Sequence, residues 1–383
     1  MQDPDLLMNI DVPGFGPLDV LQADRGRRSL SRVARVLLLG ALLVIAGVHS
    51  GSTFARDLEQ ITIQIKWYHQ FQFAGYYAAI EKGFFAEEGL AVSLRERTWD
   101  ASPVDDVLEG RAQYGISDAT LLVDRAMGRP VVLLAQIFQH APGVLMTLSD
   151  SGITSPADLV GKRVSTVADD AGVRAMMLNE LGDLSRIEMA EYSENLDHFT
   201  SGQVDALAGY VSNEPFLLKE QGYSLYIMDP RDYGIDQYGD NFFTTASEIA
   251  EHPDRVEKVT RAVIRGWEYA FQHPDEMIDL ILRKYAPNKS REHLEFEAKM
   301  TEMLVVPELV PIGQIAKSRL ERVAETFARL GLLEDGEVPA GFIHEPASEG
   351  VRLSLSADER AWLREHNKIQ MVIRADVAPF SYV

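Results

Sequence analysis

The order of hydrophobic and polar positions divides the chain from Leu58 onward into strands and helices that follow one another in turn. Residues 61–65 alternate apolar and polar side chains, as a half-buried strand does, and apolar residues recur at helical spacing over 73–85. The same order continues with strands at 90–94, 114–116 and 131–137 and with helices at 104–108 and 121–127. It predicts a parallel or mixed sheet with helices on both faces.

A second unit of the same kind is predicted between residues 144 and 228. Its strands are expected at 144–148, 163–167, 187–190, 204–208 and 225–228, with helices beginning near 156, 171, 195 and 214. Residues 229–242, which are rich in Asp, Gly and Tyr, are interpreted as a loop that returns the chain to the first unit. Helices at 254–271, 275–285, 291–304 and 314–331 are then expected to pack on that first unit.

The N-terminal 55 residues have the layout of an export signal. Five arginines between positions 25 and 35 precede an apolar run at 36–48, which is shorter than the ~20 residues that span a bilayer. Thr53 and Ala55 place small residues where a signal peptidase would cut. Residues 1–55 are therefore predicted to be a secretory signal peptide, or a signal anchor that is retained, with an N-terminal extension.

Composition and charge exclude several classes of protein. The chain has 37 Lys plus Arg against 58 Asp plus Glu, a net charge of −21, and no cysteine. An acidic surface is unsuited to nucleic acid, and the lack of cysteine excludes disulfides, thiolate nucleophiles and cysteine-ligated metals. The nine histidines form no metal-binding pair on a helix, and neither a nucleophile elbow nor a phosphate loop is present. No catalytic residue, metal or cofactor is predicted, and the isolated domain is expected to be monomeric.

The candidate ligand-binding residues follow predicted strands, at the edge where open α/β sheets bind ligands. In the cluster 66–77, Trp67, Tyr68 and Tyr76 are expected to form an aromatic wall, and Gln70 to orient a polar group. The alternative is that about half of these aromatic side chains lie in the core or between lobes.

Polar residues follow three further strands, and each has a structural alternative. Ser117 and Asp118 could bind a polar group or simply begin a helix. The neighbouring carboxylates of Asp169 and Asp170 could pair with an amino group of the ligand, or one of them could cap the helix that follows. Glu214 could contact ligand or stabilise a helix N-terminus. The remaining candidates are Tyr210 and Asn213.

The stretch 65–79, IKWYHQFQFAGYYAA, with its continuation EKGFFAEEGL at 81–90, resembles the opening of the thiamine-pyrimidine-synthase-like (NMT1/THI5-like) family of periplasmic binding proteins. Segments 158–164 and 213–215 agree with it, and the resemblance covers roughly residues 58–330. It implies a type II periplasmic binding protein within residues 56–350, in which two α/β lobes joined by a hinge close on a ligand. Lobe 1 would comprise about 57–140 and 235–345, and lobe 2 about 141–234.

The family also contains fungal enzymes that form the thiamine pyrimidine with a lysine for pyridoxal phosphate and a histidine four residues later. The matching positions here are Ser117 and Leu121, and the cysteine-rich iron segment of those enzymes falls on 241–245, which has no cysteine. Without an amine, an imidazole and metal ligands that chemistry cannot run, so the resemblance implies a binding protein and not an enzyme.

Residues 355–363 and 373–380 resemble the start of a second solute-binding domain, so 351–383 is predicted to be a truncated copy of one. Tandem binding domains of this kind resemble the extracytoplasmic inputs of bacterial signalling proteins. The leading hypothesis is a periplasmic sensor domain, secreted or anchored to the inner membrane, that closes on a small polar ligand such as a pyrimidine or an amine. Its partner would be a membrane-embedded signalling protein. The alternative is the binding protein of an importer with an ABC permease as partner.

Overall fold

Two five-stranded sheets organise the residues that the computed structural model describes, 58–167 and 170–345. The strands are β1 Glu59–Gln64, β2 Leu90–Arg95, β3 Tyr114–Ser117, β4 Val131–Phe138, β5 Gly143–Leu148, β6 Arg163–Ser165, β7 Glu188–Ala190, β8 Ala206–Tyr210, β9 Leu225–Met228 and β10 Gly239–Thr245. The first sheet has the order β2-β1-β3-β10-β4 and the second β7-β6-β8-β5-β9. The predicted pair of α/β lobes is therefore confirmed. The predicted leader, 1–55, and the predicted second domain, 351–383, lie outside the described residues.

Helices cover both sheets. They are α1 Ala74–Glu81, α2 Phe84–Glu87, α3 Pro103–Leu108, α4 Leu121–Ala126, α5 Ala171–Leu181, α6 Asp197–Thr200, α7 Glu214–Glu220, α8 Ala246–Glu251, α9 Pro253–Gln272, α10 Pro274–Leu280, α11 Arg291–Val305 and α12 Lys317–Arg329. The helix expected at 73–85 is divided, because Gly83 adopts a φ of 78° that a helix cannot contain. Over the described ranges, no helix is both long and apolar enough to cross a bilayer.

Strand β10 corrects the loop that was expected at 229–242. It lies between β3 and β4, antiparallel to both, and all seven of its residues are buried. Its polar side chains have partners there: Asn241 Nδ2 donates to the carbonyl of Asp118 at 2.7 Å, and Thr244 Oγ1 to that of Gln113 at 2.7 Å. A strand with this composition is stable only because distant segments satisfy its polar groups.

The second sheet is formed by residues 143–228 alone. Strand β6 pairs in parallel with β7 and β8, whereas β5 is antiparallel to β8 and β9. Helix α5 covers one face of this sheet, and Met176 and Leu181 of that helix pack into its core with Leu145 of β5. The chain therefore passes between the sheets twice, from β4 to β5 and from β9 to β10.

The helices that follow β10 pack on the first lobe, as predicted. Helix α9 crosses α1 at Gly75 and Gly266, and the buried Trp267 lies edge-on to Tyr76 at 6.0 Å between ring centroids. This crossing fixes α1 on the sheet and with it the segment 66–73 that follows β1.

Candidate functional site

A pocket lies between the two lobes, beside the two crossings of the chain. First-lobe residues come from the ends of β1, β2 and β3, and second-lobe residues from the turns after β6, β7 and β8. The lining side chains that carry charge, hydrogen-bonding groups or aromatic rings are Lys66, Trp67, Gln70, Arg97, Ser117, Asp118, Asp170, Tyr192, Tyr210, Asn213, Glu214, Gln237 and Tyr238. Ligands of open α/β sheets bind at such strand ends, and this edge is therefore the candidate site.

A buried ion pair lies at the first-lobe side of the pocket. Lys66 lies two residues after the end of β1, and its Nζ lies 2.8 Å from Oδ1 of Asp240 in β10. Gln72 Nε2 also donates to both oxygens of Asp240, at 2.9 and 3.0 Å. Although burial opposes the charge, Asp240 raises the pKa of Lys66. Burial raises the pKa of Asp240, and Lys66 opposes that rise.

Aromatic side chains from both lobes form the rim of the pocket. Trp67 packs edge-on against Trp99, 5.8 Å between ring centroids, and the guanidinium of Arg97 lies 4.2 Å from the centroid of Trp99. From the second lobe, Glu194 accepts hydrogen bonds from Tyr68 Oη at 3.2 Å and Trp99 Nε1 at 3.0 Å. These contacts join the lobes at this rim, and they place Tyr68 in an adjoining pocket.

The turn after β8 is held by Glu214, whose side chain also lines the pocket. Its Oε2 accepts from Tyr210 N at 2.7 Å, and its Oε1 from Asn213 Nδ2 at 2.8 Å. Burial raises the pKa of Glu214 and, to about 12, that of Tyr210. Glu214 can therefore stabilise the N-terminus of α7 and still contact a ligand, since each carboxylate oxygen has a second lone pair.

Two further predicted carboxylates also line the pocket while serving their own turns. Asp118 Oδ1 accepts from Thr120 N at 2.8 Å, and Asp170 Oδ1 accepts from Val173 N at 3.2 Å as the N-cap of α5. Ser117 lies beside them at the end of β3. These hydrogen bonds fix both carboxylates in place.

Tyr76 was wrongly expected in the aromatic wall. Its side chain is fully buried in the core, where its ring lies 5.9 Å from that of Phe242 and 6.0 Å from that of Trp267. The reason is that α1 turns this residue toward the sheet and α9. Asp169 lies outside the described residues.

Sequence reasoning missed six residues near the pocket: Lys66, Arg97, Tyr192, Gln237, Tyr238 and Asp240. Lys66 had a signal, since it directly follows the first strand next to Trp67. Gln237 and Asp240 have none, because the composition of 229–242 is that of a loop. Among the described residues, no three side chains are placed to hold a metal ion together.

A polar network joins the lobes behind Gln70. Lys289 forms an ion pair with the buried Glu297, and its Nζ donates to Gln70 Oε1 at 3.5 Å and to Asn213 Oδ1 at 3.4 Å. Burial raises the pKa of Glu297, and Lys289 opposes that rise. Lys289 thus connects α7 of the second lobe with the segment after β1 and with α11.

His293 stacks on Phe216 across the same boundary, 4.6 Å between centroids, and is expected to make the protein less stable in acid. Burial and the charge of Lys289 lower its pKa to about 4, although its Nε2 lies 3.3 Å from Glu297. An unfolded histidine takes up a proton below about pH 6.5, so stability is lost as the pH falls from there toward 4. The loss from His293 alone should reach about 2 kcal/mol at pH 5.

Urea unfolding at pH 7.5 and pH 5 checks this prediction. The variant His293→Phe keeps the stack and should lose about 2 kcal/mol less than the parent between the two pH values. The control is His198→Gln, which replaces an exposed histidine. Its stability should change between the two pH values as much as that of the parent does. An equal pH dependence in His293→Phe and the parent would contradict the assignment.

Comparison with known proteins identifies relatives of the whole two-lobed region. The family model described as "NMT1/THI5 like" matches residues 70–277, more than half of the chain. The formylaminopyrimidine-binding protein of Halalkalibacterium halodurans is 27% identical over 256 residues, 64% of this chain and 77% of that protein. The riboflavin-binding protein RibY of Chloroflexus aurantiacus is 27% identical over 239 residues, 59% of this chain and 66% of that protein.

Other relatives carry the name of an enzyme. The 4-amino-5-hydroxymethyl-2-methylpyrimidine phosphate synthase of Legionella pneumophila is 23% identical over 233 residues, 58% of this chain and 72% of that protein. Among solved structures, the alkanesulfonate-binding protein SsuA from Xanthomonas axonopodis pv. citri, bound to MOPS, matches with a TM-score of 0.59 at 15% identity. The match covers 75% of this chain and 99% of SsuA, and it shows that the two share the periplasmic-binding-protein fold.

Proposed function

Since this chain belongs to the NMT1/THI5-like family, we propose that it is a solute-binding protein whose lobes close on a small, amino-bearing heteroaromatic ligand. The observation that carries this proposal is the pocket between the lobes. Aromatic side chains of both lobes and the crossing segment line it, together with the three carboxylates of Asp118, Asp170 and Glu214. Aromatic faces favour a flat ring, and carboxylates accept hydrogen bonds from amino groups.

Charge supports an amine over an anion. The lining cations are Lys66 and Arg97, and Lys66 is already paired with Asp240. Three carboxylates therefore face the pocket with the charge of Arg97 as their main counterweight. A sulfonate or phosphate would be repelled by this arrangement, whereas an amino group would be attracted.

The names of two relatives agree with this ligand class, since one binds formylaminopyrimidine and another riboflavin. Both ligands are nitrogen heteroaromatic compounds. The synthase-named relatives favour the same ring chemistry but a different activity. At the positions that resemble those of the fungal enzymes, Ser117 and Leu121 have neither an amine nor an imidazole, which supports binding without turnover.

The protein is proposed to act outside the cytoplasmic membrane, as the predicted leader implies, and to convey ligand binding to a membrane-embedded signalling partner. The alternative partner is an ABC permease. Crosslinking in native membranes, followed by identification of the captured protein, separates the two. Capture of a permease would refute the sensor assignment, and capture of a kinase or cyclase would refute the importer.

Thermal unfolding of the full chain with candidate ligands tests the function. We expect 4-amino-2-methylpyrimidine to raise the Tm by several degrees, because a ligand at 100 times its Kd stabilises by about 2.7 kcal/mol. An alkanesulfonate should leave the Tm unchanged. Stabilisation by the alkanesulfonate and by no aminopyrimidine would contradict the proposal.

A further inference from the structure

We propose that Lys66 and Gln237 determine ligand specificity by donating hydrogen bonds to acceptor atoms of the ligand. The inference rests on the proposed function and deepens it. The carboxylates would select amino groups, whereas these two side chains would select a carbonyl oxygen or an unprotonated ring nitrogen on the same molecule. The site would then discriminate against amines that offer donors only.

Lys66 supplies the first observation. Its side chain lines the pocket and is only 6% exposed. An ammonium has three N–H donors, and Nζ of Lys66 uses one toward Asp240 at 2.8 Å and a second toward the hydroxyl of Tyr210. The ring centroid of Tyr210 lies 5.3 Å from Nζ, and the third N–H is left for an acceptor on a ligand.

The ion pair does not by itself explain why a lysine occupies this position. Asp240 already accepts two hydrogen bonds from Gln72, at 2.9 and 3.0 Å. A buried ion pair contributes little net stability, because desolvation offsets its attraction. The charge on Asp240 does, however, keep the lysine ammonium protonated, and an ammonium at the edge of a pocket is a strong donor.

Gln237 supplies a second, independent observation on another part of the chain. It lies in the segment between β9 and β10, is 5% exposed and lines the same pocket. Its Nε2 has no acceptor among the described residues. Its Oε1 lies beside Gly172, so that a Cβ added to that glycine would be 3.4 Å from this oxygen. The amide therefore approaches the start of α5, whereas Lys66 belongs to the first lobe.

A buried amide without an acceptor is costly in a folded protein, and a ligand that supplies acceptors gains hydrogen bonds from Gln237 Nε2 and from the third N–H of Lys66. The ligand class is narrowed accordingly to heteroaromatic rings that carry both an amino group and an acceptor. A 4-aminopyrimidine meets both requirements. An aniline of the same shape meets only the first.

Calorimetric titration of the full chain with two probes tests the inference. The probes are 4-amino-2-methylpyrimidine and 3-methylaniline, which differ only in the two ring nitrogens. The parent protein should bind the pyrimidine at least tenfold more tightly. Gln237→Leu, and Lys66→Met combined with Asp240→Asn, should each weaken pyrimidine binding about tenfold to a hundredfold and leave aniline binding unchanged. The double substitution removes both charges, so that no buried charge is left unpaired.

The control is Lys82→Met, which removes a lysine that pairs with Glu276 at the surface, and it should bind both probes like the parent. Unchanged pyrimidine affinity in both pocket variants overturns the inference, and so does equal weakening of both probes, which indicates a role in shape alone. If the double variant does not fold, Gln237→Leu decides by itself, since it leaves the ion pair intact. Equal affinity of the parent for the two probes refutes this inference only. No binding of either probe, or of any other aminopyrimidine, refutes the proposed function together with it.

Discussion

Replacing Trp67 by alanine is expected to remove about two thirds of the thermal stabilisation by 4-amino-2-methylpyrimidine, or more, while the domain stays folded. Trp67 lines the pocket and is only partly buried, with edge-on contacts to Tyr68 at 5.5 Å and Trp99 at 5.8 Å. The alanine variant would lose both its contact area with the ligand and the ring that holds Trp99. Truncation of an aromatic side chain that packs on a ligand typically lowers the binding free energy by about 2 kcal/mol or more, which is about a thirtyfold loss of affinity.

Two measurements separate binding from folding in this experiment. The Tm without ligand should fall by a few degrees at most, because the side chain lies at the rim and not in the core. Tyr226→Ala is the matched control, since Tyr226 is an exposed aromatic residue of β9 outside the pocket lining and should retain the full ligand effect. A full ligand-induced shift in Trp67→Ala would remove Trp67 from the site.

Gly266→Ala is expected to have the largest effect on stability. A Cβ at this position would lie 2.1 Å from the carbonyl oxygen of Gly75, and α1 and α9 would have to separate. The reciprocal change is equally unfavourable, since a Cβ on Gly75 would lie 2.2 Å from Trp267. Overpacking costs about 1–3 kcal/mol and more where backbone must move, so we expect a loss of about 3 kcal/mol.

Urea unfolding at pH 7.5 measures this loss as a lower midpoint with an unchanged slope. Glu268→Ala, on the exposed face of the same helix, is the control and should stay within about 0.5 kcal/mol of the parent. A Gly266→Ala protein as stable as the parent would show that the crossing is wider in solution than in this structure.

The alternation of apolar and polar residues was enough to predict most elements, because each depends on its own neighbours in the chain. Strands such as 131–138 and helices such as 253–272 are defined locally by periodicity, by Pro at the helix start and by Gly at ends. The candidate binding residues were located by a simple rule, that polar residues after successive strands meet at one edge. The placement of eight of the eleven candidates around one pocket agrees with that rule.

The exceptions share a different cause. The sequence GDNFFTT does not resemble a buried strand, and only contacts with Lys66, Gln72 and Asp118 allow Asp240 and Asn241 to be buried there. Tyr76 likewise could not be assigned to core or pocket from its place in an aromatic cluster. Its direction depends on how α9 packs over α1.

The sequence by itself determined that this protein has two α/β units, an aromatic segment after the first strand and carboxylates after later ones, since local periodicity and strand ends encode these features. Only the tertiary structure decided which groups share the pocket and how they are charged. Gln72 and Asp240 are 168 positions apart, and no local pattern specifies such a contact. The physical reason is that burial of a polar group is favourable only when a distant partner is present, and the fold alone supplies that partner.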